Sequence, residues 1–294
     1  MNTNNMTILI KNKYMVLEHI GKGKFGNIYK GVYKKNNETV AIKMEDINTH
    51  LLKHETTILK YLREQGCKYV PDVYWYGIEI GKRMLVISYY DMSLSQYYVQ
   101  QQTQDGTPTF ILDKIMSSCI SILEDVHKKF VLHRDIKPDN FMVNSNSSNI
   151  YLIDFGLSTF YIDDKRQHVL DNGSHSTMIG NHRFASYNIY SGYAPSRRDD
   201  LISIGYMYMY YYNYNNSYKL PWDNLSIDNK SLSGDIMNIF SLENRERCRL
   251  KSWDYFGEKI KNLNNNKIYN YLKYCYSLSY SETPDYNSLI WLFT

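Results

Sequence analysis

His133, Arg134, Asp135, Ile136, Lys137, Pro138, Asp139 and Asn140 follow one another, so a carboxylate, an ammonium and a carboxamide share one short segment. Nineteen residues after Asp135 stands Asp154, inside Ile153-Asp154-Phe155-Gly156. Asp135 can orient a hydroxyl and accept its proton, and with a reference pKa of ~4 its main contribution is positioning. Lys137 can offset negative charge at the reacting centre. Asn140 and Asp154 supply oxygen ligands of the kind Mg²⁺ takes, the ion's other ligands being waters and substrate phosphates. Together these groups suit the transfer of a phosphoryl group from ATP·Mg²⁺ to a hydroxyl. His133 and Phe155 read as packing supports of the two segments.

The elements that must hold these groups can be read from period and punctuation. Gly21-Lys22-Gly23-Lys24-Phe25-Gly26 is a G-x-G-x-x-G string with Ile20 before it and Asn27 and Ile28 after it. The string alone also fits a dinucleotide fold, but here it separates two β-like runs, 16–20 and 27–33, and no helix follows at once. A glycine-rich hairpin lets backbone N–H groups approach phosphates closely. Lys22 and Lys24 either add charge at those phosphates or are solvated at a loop tip. A third strand, 39–44, carries Val40-Ala41-Ile42-Lys43, and a lysine ending an apolar strand needs a reason to point inward. Lys34-Lys35-Asn36-Asn37 reads as the turn before it. Leu51, Leu52, Glu55, Ile58, Leu59 and Leu62 recur at helical spacing over 49–64, with Gly66 as the C-cap. Residues 73–78 and 84–89 read as a further strand pair.

Beyond Ser93 helices dominate. Residues 110–130 carry an apolar stripe leading into the Asp135 segment, and 201–214 are apolar on nearly every face, as in a helix buried inside a lobe. The tyrosines of that second helix could be a partner surface, but the pattern favours core packing. Residues 141–143 and 150–153 are two tiny strands joined by a polar loop.

The bulk numbers exclude several classes. A chain of 294 residues suits one large domain or two lobes sharing a cleft. No apolar run reaches the ~18 residues of a membrane span, and the polar start, residues 1–7, has no signal-like stretch. No membrane association is expected, and a cytoplasmic or nuclear place is. The four cysteines are scattered without a C-x-x-C pair, so neither a zinc site nor a disulfide framework is expected. A net charge of +4 without a basic stripe argues against nucleic acid. The 30 tyrosines, with the abundant asparagine, point to an A/T-rich genome such as that of a protist or a large DNA virus. If the source is viral, packaging in the virion is a further location.

The two motifs, in this order and spacing, resemble the catalytic core of the protein kinases. Arg183-Phe184-Ala185-Ser186-Tyr187-Asn188, then Ser196-Arg197-Arg198-Asp199-Asp200-Leu201-Ile202-Ser203-Ile204-Gly205-Tyr206, then Leu220-Pro221-Trp222 resemble the casein kinase 1 family, in which Ser-x-Asn stands for Ala-Pro-Glu. The tail from Tyr271-Leu272-Lys273 through Pro284-Asp285-Tyr286 is similar as well. The resemblance runs from about Tyr14 to Phe293. It implies an α+β, bilobal kinase-like fold: a small antiparallel β-sheet lobe with one helix over 14–90, and a larger, mainly helical lobe over 91–293, after a short extension, 1–13.

The resemblance also implies roles. Lys43 would hold the α- and β-phosphates and pair with a helix glutamate. Glu55 is the candidate, since Glu45 is too close along the strand and Glu64 lies near the helix end. Ile28 and Ala41 would line the adenine pocket and Ile87 its back, with Ser88, Tyr89 and Tyr90 offering backbone hydrogen bonds to the base. The full nucleotide set is then Ile20, Gly21, Lys22, Gly23, Lys24, Phe25, Gly26, Asn27, Ile28, Ala41, Lys43, Ile87, Ser88 and Tyr90. Asp135 and Lys137 are catalytic, Asn140 and Asp154 hold the metal, and Asp200 anchors the Asp135 loop. Lysine at position 137 is similar to serine/threonine kinases, so protein Ser/Thr hydroxyls are the expected acceptors.

Two departures from the family stand out. Asn181 occupies a threonine position and is expected to face Asp135 and Lys137. The basic cluster usual after Leu-Pro-Trp is missing from 223–242, with Arg245, Arg247, Arg249 and Lys251 coming later. Arg183, with Arg134, is the expected substrate anion site, giving a preference for acidic or primed acceptors. A monomer that needs no activating phosphorylation and carries no inhibitory tail is expected. The alternative is a pseudokinase, a nucleotide-binding scaffold with little turnover. A small-molecule phosphotransferase would not explain the match from Arg198 to Gly205.

Overall fold

The computed structural model describes residues 8–23, 26–102, 108–171, 175–213, 219–225, 236–263 and 265–294. The chain forms two compact units, one of residues 1–92 and 142–156, the other of 93–141 and 157–294.

The first unit is a six-stranded antiparallel sheet with one helix. Its strands are β1 (Leu9–Ile10), β2 (Tyr14–Gly23), β3 (Gly26–Tyr33), β4 (Glu38–Asp46), β5 (Val73–Glu79) and β6 (Lys82–Ser88), in the order β1-β2-β3-β4-β6-β5. Helix α1 (Leu51–Glu64) lies between β4 and β5 in sequence. The strands outrun the β-like sequence runs because pairing, and not side-chain pattern, sets their ends. Leu9 and Ile10, read in sequence as part of an extension, pair with Met15 and Tyr14, and Ile10 is fully buried.

The two-residue period of β4 sorts its side chains. Val40 and Ile42 join Ile10, Tyr14, Met84 and Val86 in one core. Register places Ile28 opposite Lys43 and Ala41 opposite Ile87, so these four share the other face of the sheet. The turn at 34–37 forms as read, with Asn37 at φ 58° donating its N–H to Tyr33 O.

In α1 the buried positions are Leu52, Glu55, Thr56, Ile58, Leu59 and Leu62, one stripe at helical spacing. Its start has no side-chain cap from His50; Glu45, buried on β4, accepts the Leu52 N–H instead. Its end is a Schellman motif: Cys67 N donates to Leu62 O and Gly66 N to Arg63 O, with Gly66 at φ 88°. The hairpin of β9 (Phe141–Asn144) and β10 (Asn149–Leu152) carries the chain toward Asp154, and most of it belongs to this unit, although it follows the helices in sequence.

The second unit is mainly helical: α2 (Leu94–Gln102), α3 (Pro108–Lys128), α4 (Tyr187–Tyr190), α5 (Arg197–Tyr212), α6 (Leu242–Lys251), α7 (Trp253–Lys261), α8 (Asn266–Ser277) and α9 (Tyr286–Trp291). Short strands punctuate it. β8 (Val131–Leu132) pairs with β11 (Thr159–Phe160), and β12 (Thr177–Ile179) with β13 (Ile236–Asn238); β7 (Met92–Ser93) lies where the chain passes from one unit to the other. Helix α3 starts on Pro108 and stops before Phe130, whose φ of 62° no helix accepts.

Helix α5 begins four residues before the apolar run, because Asp199 turns back to accept the Ser196 N–H at 2.7 Å. Three of its tyrosines are core, as the pattern favoured: Tyr206, Tyr208 and Tyr211 are at most 2% exposed, while Tyr210 and Tyr212 are half-buried. Gly205 lets α8 close in, since a Cβ there would lie 2.3 Å from Leu272 Cδ2. All four cysteines are free thiols, and no described helix is long and apolar enough to cross a membrane.

Candidate active site

Three charges meet in the first unit. Lys43 Nζ lies 2.7 and 2.9 Å from the two carboxylate oxygens of Glu55 and 3.3 Å from Asp154 Oδ1. Strand β4 turns Lys43 toward α1, and the helical stripe presents Glu55, which is fully buried, to it. Burial works against the lysine charge, yet Asp154 and Glu55 together hold its pKa above the ordinary value. The Phe155 N–H also bonds Glu55, which ties the Asp154 segment to α1. Asp154 itself takes φ 66°, a left-handed conformation that costs a non-glycine residue about 1 kcal/mol.

Around this cluster the sheet presents the rest of the predicted nucleotide set. The glycine hairpin forms, with Gly21 opposite Ile28, Lys22 opposite Asn27 and Gly23 opposite Gly26; Lys24 and Phe25 lie outside the described residues. Its glycines serve different ends. A Cβ on Gly26 would sit 1.9 Å from Met44 O, so this glycine is demanded by the close backbone of β4. A Cβ on Gly21 would meet nothing within 4 Å, so no packing requires that glycine, and its open surface fits an approaching phosphate. Ile20 and Lys22 are exposed, and Asn27 is held by His19 across the hairpin at 3.3 Å. Ile87 is buried, while Ser88 spends its N–H on Asp72 O. The Tyr90 ring stacks on Tyr151 at 4.2 Å, and neither the Tyr89 nor the Tyr90 N–H makes a hydrogen bond among the described residues, so both remain as donors of that segment.

The second unit holds the reacting loop. Lys137 Nζ donates to Asp135 Oδ2 at 2.6 Å, and Asn140 Nδ2 donates to the same oxygen at 3.1 Å and to Asp135 O at 2.7 Å. Asp135 Oδ1, though buried, has no hydrogen-bond partner among the described residues. One carboxylate is thus divided: one oxygen is immobilised and the other is left for an incoming donor. Asn140, anchored through its nitrogen, keeps its Oδ1 for a hard cation. Among the described residues no three His, Cys, Asp or Glu side chains gather as a metal cage. Asn140 in this unit and Asp154 in the first each offer an oxygen of the kind a hard cation takes, with waters and phosphates as the ion's other ligands.

The loop is hung from α5. Asp200 accepts the His133 N–H at 2.8 Å and the Arg134 N–H at 2.9 Å, as expected. Its pKa is lowered: the cost of burial is outweighed by His127, 3.0 Å away, and the loop's N–H groups. His127 in turn meets Tyr286 of α9 at 2.7 Å. His133 is fully buried and bonds the Asp135 N–H, a supporting role.

Asn181 departs from expectation. Its side-chain oxygen accepts the Arg183 N–H at 2.9 Å, and it makes no hydrogen bond to Asp135 or Lys137 among the described residues. The backbone next to Asp135 is Gly180, where a Cβ would lie 2.5 Å from Arg134 O and 3.9 Å from Asp135 Oδ1. The two arginines read as an anion site have separate partners. Arg183 Nε bonds Asp223 Oδ1 at 2.9 Å, with its guanidinium 5.4 Å from the Tyr210 ring centroid. Arg134 Nε bonds Leu157 O at 2.6 Å, and burial lowers the Arg134 pKa.

Three residues of this neighbourhood were not legible as functional. Trp222 Nε1 donates to Arg183 O at 2.7 Å. Lys251, fully buried, reaches the carbonyls of His182, Arg183 and Ala185. Burial, then the Arg247 charge, pushes the Lys251 pKa well below the ordinary value, while Asp223 and Cys248 oppose the shift. His182 is pushed down to about 4 by burial and by Arg247, Lys251 and Arg183. Lys251 sits in a run of alternating basic residues that reads as a solvated face. Only the helical period separates buried Arg247 and Lys251 from exposed Arg245 and Arg249.

The sequence from residue 14 to residue 276 matches the family described as protein kinase domain, a span that takes in both charged clusters, and the chain belongs to that family.

Proposed function

We propose that the chain is a serine/threonine protein kinase of casein kinase 1 type, transferring the γ-phosphoryl group of ATP to protein hydroxyls. The observation that carries this reading is the divided Asp135 carboxylate, with Oδ2 held by Lys137 and Asn140 and Oδ1 buried without a partner among the described residues. An acceptor hydroxyl that donates to Oδ1 is oriented for attack, and its proton has a place to go. Lys137 offsets the charge that develops on the phosphoryl oxygens. Lys43, fixed by Glu55, holds the nucleotide phosphates. Asp154 and Asn140 would hold Mg²⁺, which when bound would supply charge neutralisation at the phosphates.

Serine and threonine are favoured as acceptors because Lys137 occupies the position where such kinases carry lysine. Acidic acceptors are preferred modestly, since they must compete with Asp223 for Arg183, whose side chain remains 37% exposed. The protein acts as a monomer.

The test is radiolabel transfer from ATP·Mg²⁺ to casein by the wild type, Asp135→Asn and Lys43→Met. Transfer by the wild type that both substitutions abolish supports the enzyme. Equal background in all three leaves a nucleotide-binding scaffold.

A further inference from the structure

Lys251 has no part in the chemistry above, yet its surroundings are built for a cation. The side chain ends helix α6 and is fully buried. Its Nζ lies 3.3 Å from His182 O, 3.0 Å from Arg183 O and 2.5 Å from Ala185 O. An ammonium has three N–H donors, and three carbonyls receive them. Rings complete the cage: Trp222 at 4.4 Å, Tyr206 at 4.9 Å and Tyr190 at 5.0 Å from Nζ to the centroid. Tyr276 OH donates to the Lys251 carbonyl at 2.7 Å and holds the helix end from behind.

All three acceptors come from one four-residue segment. A buried lysine that served packing alone would have no reason to satisfy carbonyls of a single short stretch, and an apolar side chain of equal volume would cost less desolvation. The segment has a place in the site. Three residues before Arg183 the chain passes so close to the reacting loop that a Cβ on Gly180 would touch Arg134 O and approach Asp135 Oδ1. Trp222 Nε1 adds a second donor to Arg183 O, and Tyr190 OH donates to His182 O at 2.9 Å. The carbonyls of His182, Arg183 and Ala185 are therefore held by buried donors, and the turn that walls Asp135 is fixed at its far end.

We propose that Lys251 is a positioning residue for the acceptor polypeptide: its ammonium clamps the 182–185 backbone and so sets the wall beside Asp135 against which the acceptor lies. This rests on the kinase reading. Lys251 touches neither Asp135 nor the nucleotide set, so its effect belongs to acceptor recognition and leaves ATP recognition alone.

The experiment compares wild type with Lys251→Met, Lys251→Arg and Trp222→Phe in the full chain. The expected result for Lys251→Met, which removes all three hydrogen bonds, is a peptide KM about tenfold higher, the scale of a single charge-assisted hydrogen bond, with the KM for ATP unchanged. The Arg183 and Ala185 amides should exchange faster, while those of α5 keep their protection. Lys251→Arg should recover part of the peptide KM, because it restores donors and charge; a volume role would instead make methionine the better substitute. Trp222→Phe, which keeps a ring, should shift KM and exchange the same way by less, and decides the matter if Lys251→Met does not fold. An unchanged peptide KM together with unchanged exchange at Arg183 and Ala185 overturns the proposal. If the wild type transfers no phosphate, the kinase reading falls by itself, and unchanged exchange in the variants would still overturn the clamp.

Discussion

The Nε of Arg183 donates to Asp223 Oδ1 at 2.9 Å, so the cation best placed by sequence to read an acidic acceptor already has a carboxylate of its own chain beside it. Asp223 is well buried and also accepts the Leu220 N–H at 3.0 Å, which holds it in place. An external anion must displace this internal one or share the guanidinium with it.

Asp223→Asn should therefore strengthen the preference for acidic peptides. The amide keeps an acceptor for the Leu220 N–H while removing the charge. The ratio of acidic to neutral peptide phosphorylation is expected to rise by about threefold, the scale of a partly exposed ion pair, and Arg183→Ala should erase the difference. An unchanged ratio in both variants would mean that Arg183 reads no acceptor charge.

Glu55→Gln leaves Lys43 with a neutral partner on one side and Asp154 on the other. Breaking a buried pair is costly, and a loss of about 3 kcal/mol is expected, the low end of the range because Asp154 remains. Urea unfolding measures the loss. The KM for ATP should rise while the KM for peptide stays, since the pair lies on the nucleotide side.

The imidazole of His182 should impose a pH dependence on stability. Its folded pKa, about 4, lies below the ordinary 6.5. Between those two values the unfolded chain binds a proton that the folded chain does not, so stability is full above pH 6.5 and falls as pH drops toward 4. Urea midpoints at half-unit steps across that window should slope downward on acidification. His182→Gln should flatten the slope within it.

The contact of Gly205 with Leu272 gives a test of packing. Gly205→Ala should cost about 1–3 kcal/mol by overpacking, and Leu272→Ala in the same chain should return part of it. Additive losses in the double variant would show that the two sites are independent.

Much of the site could be read from the chain because its signals are local. Glu55 shares a helical stripe with Leu52 and Leu59, which marks it as inward-facing, and the kinase resemblance makes it the partner of Lys43. Asp135, Lys137 and Asn140 lie within six residues, and their contacts follow from one short turn. Asp200 is legible through the kinase resemblance, in which the helix opened by Ser196 anchors the Asp135 loop. Other features are set by contacts that the residue pattern does not show. Glu45 looked like a rejected partner for Lys43, and it caps α1 through Leu52 because β4 ends beside the helix start. Asn181 was read as facing Asp135, yet a two-residue backbone turn claims its oxygen first.

The sequence by itself determined the chemistry on offer: the carboxylates, amide and lysines of phosphoryl transfer, the strand and helix periods that carry them, and the family to which they point. Tertiary structure alone decided which charges are spent. Arg183 and Asp223 are forty residues apart, and Lys251 lies more than sixty residues beyond the carbonyls it holds. Periodicity marks a face as buried or solvated; it carries no record of which distant group will meet that face. Ion pairing depends on separations of a few ångströms and on the water excluded around them, and both are set only when the elements pack.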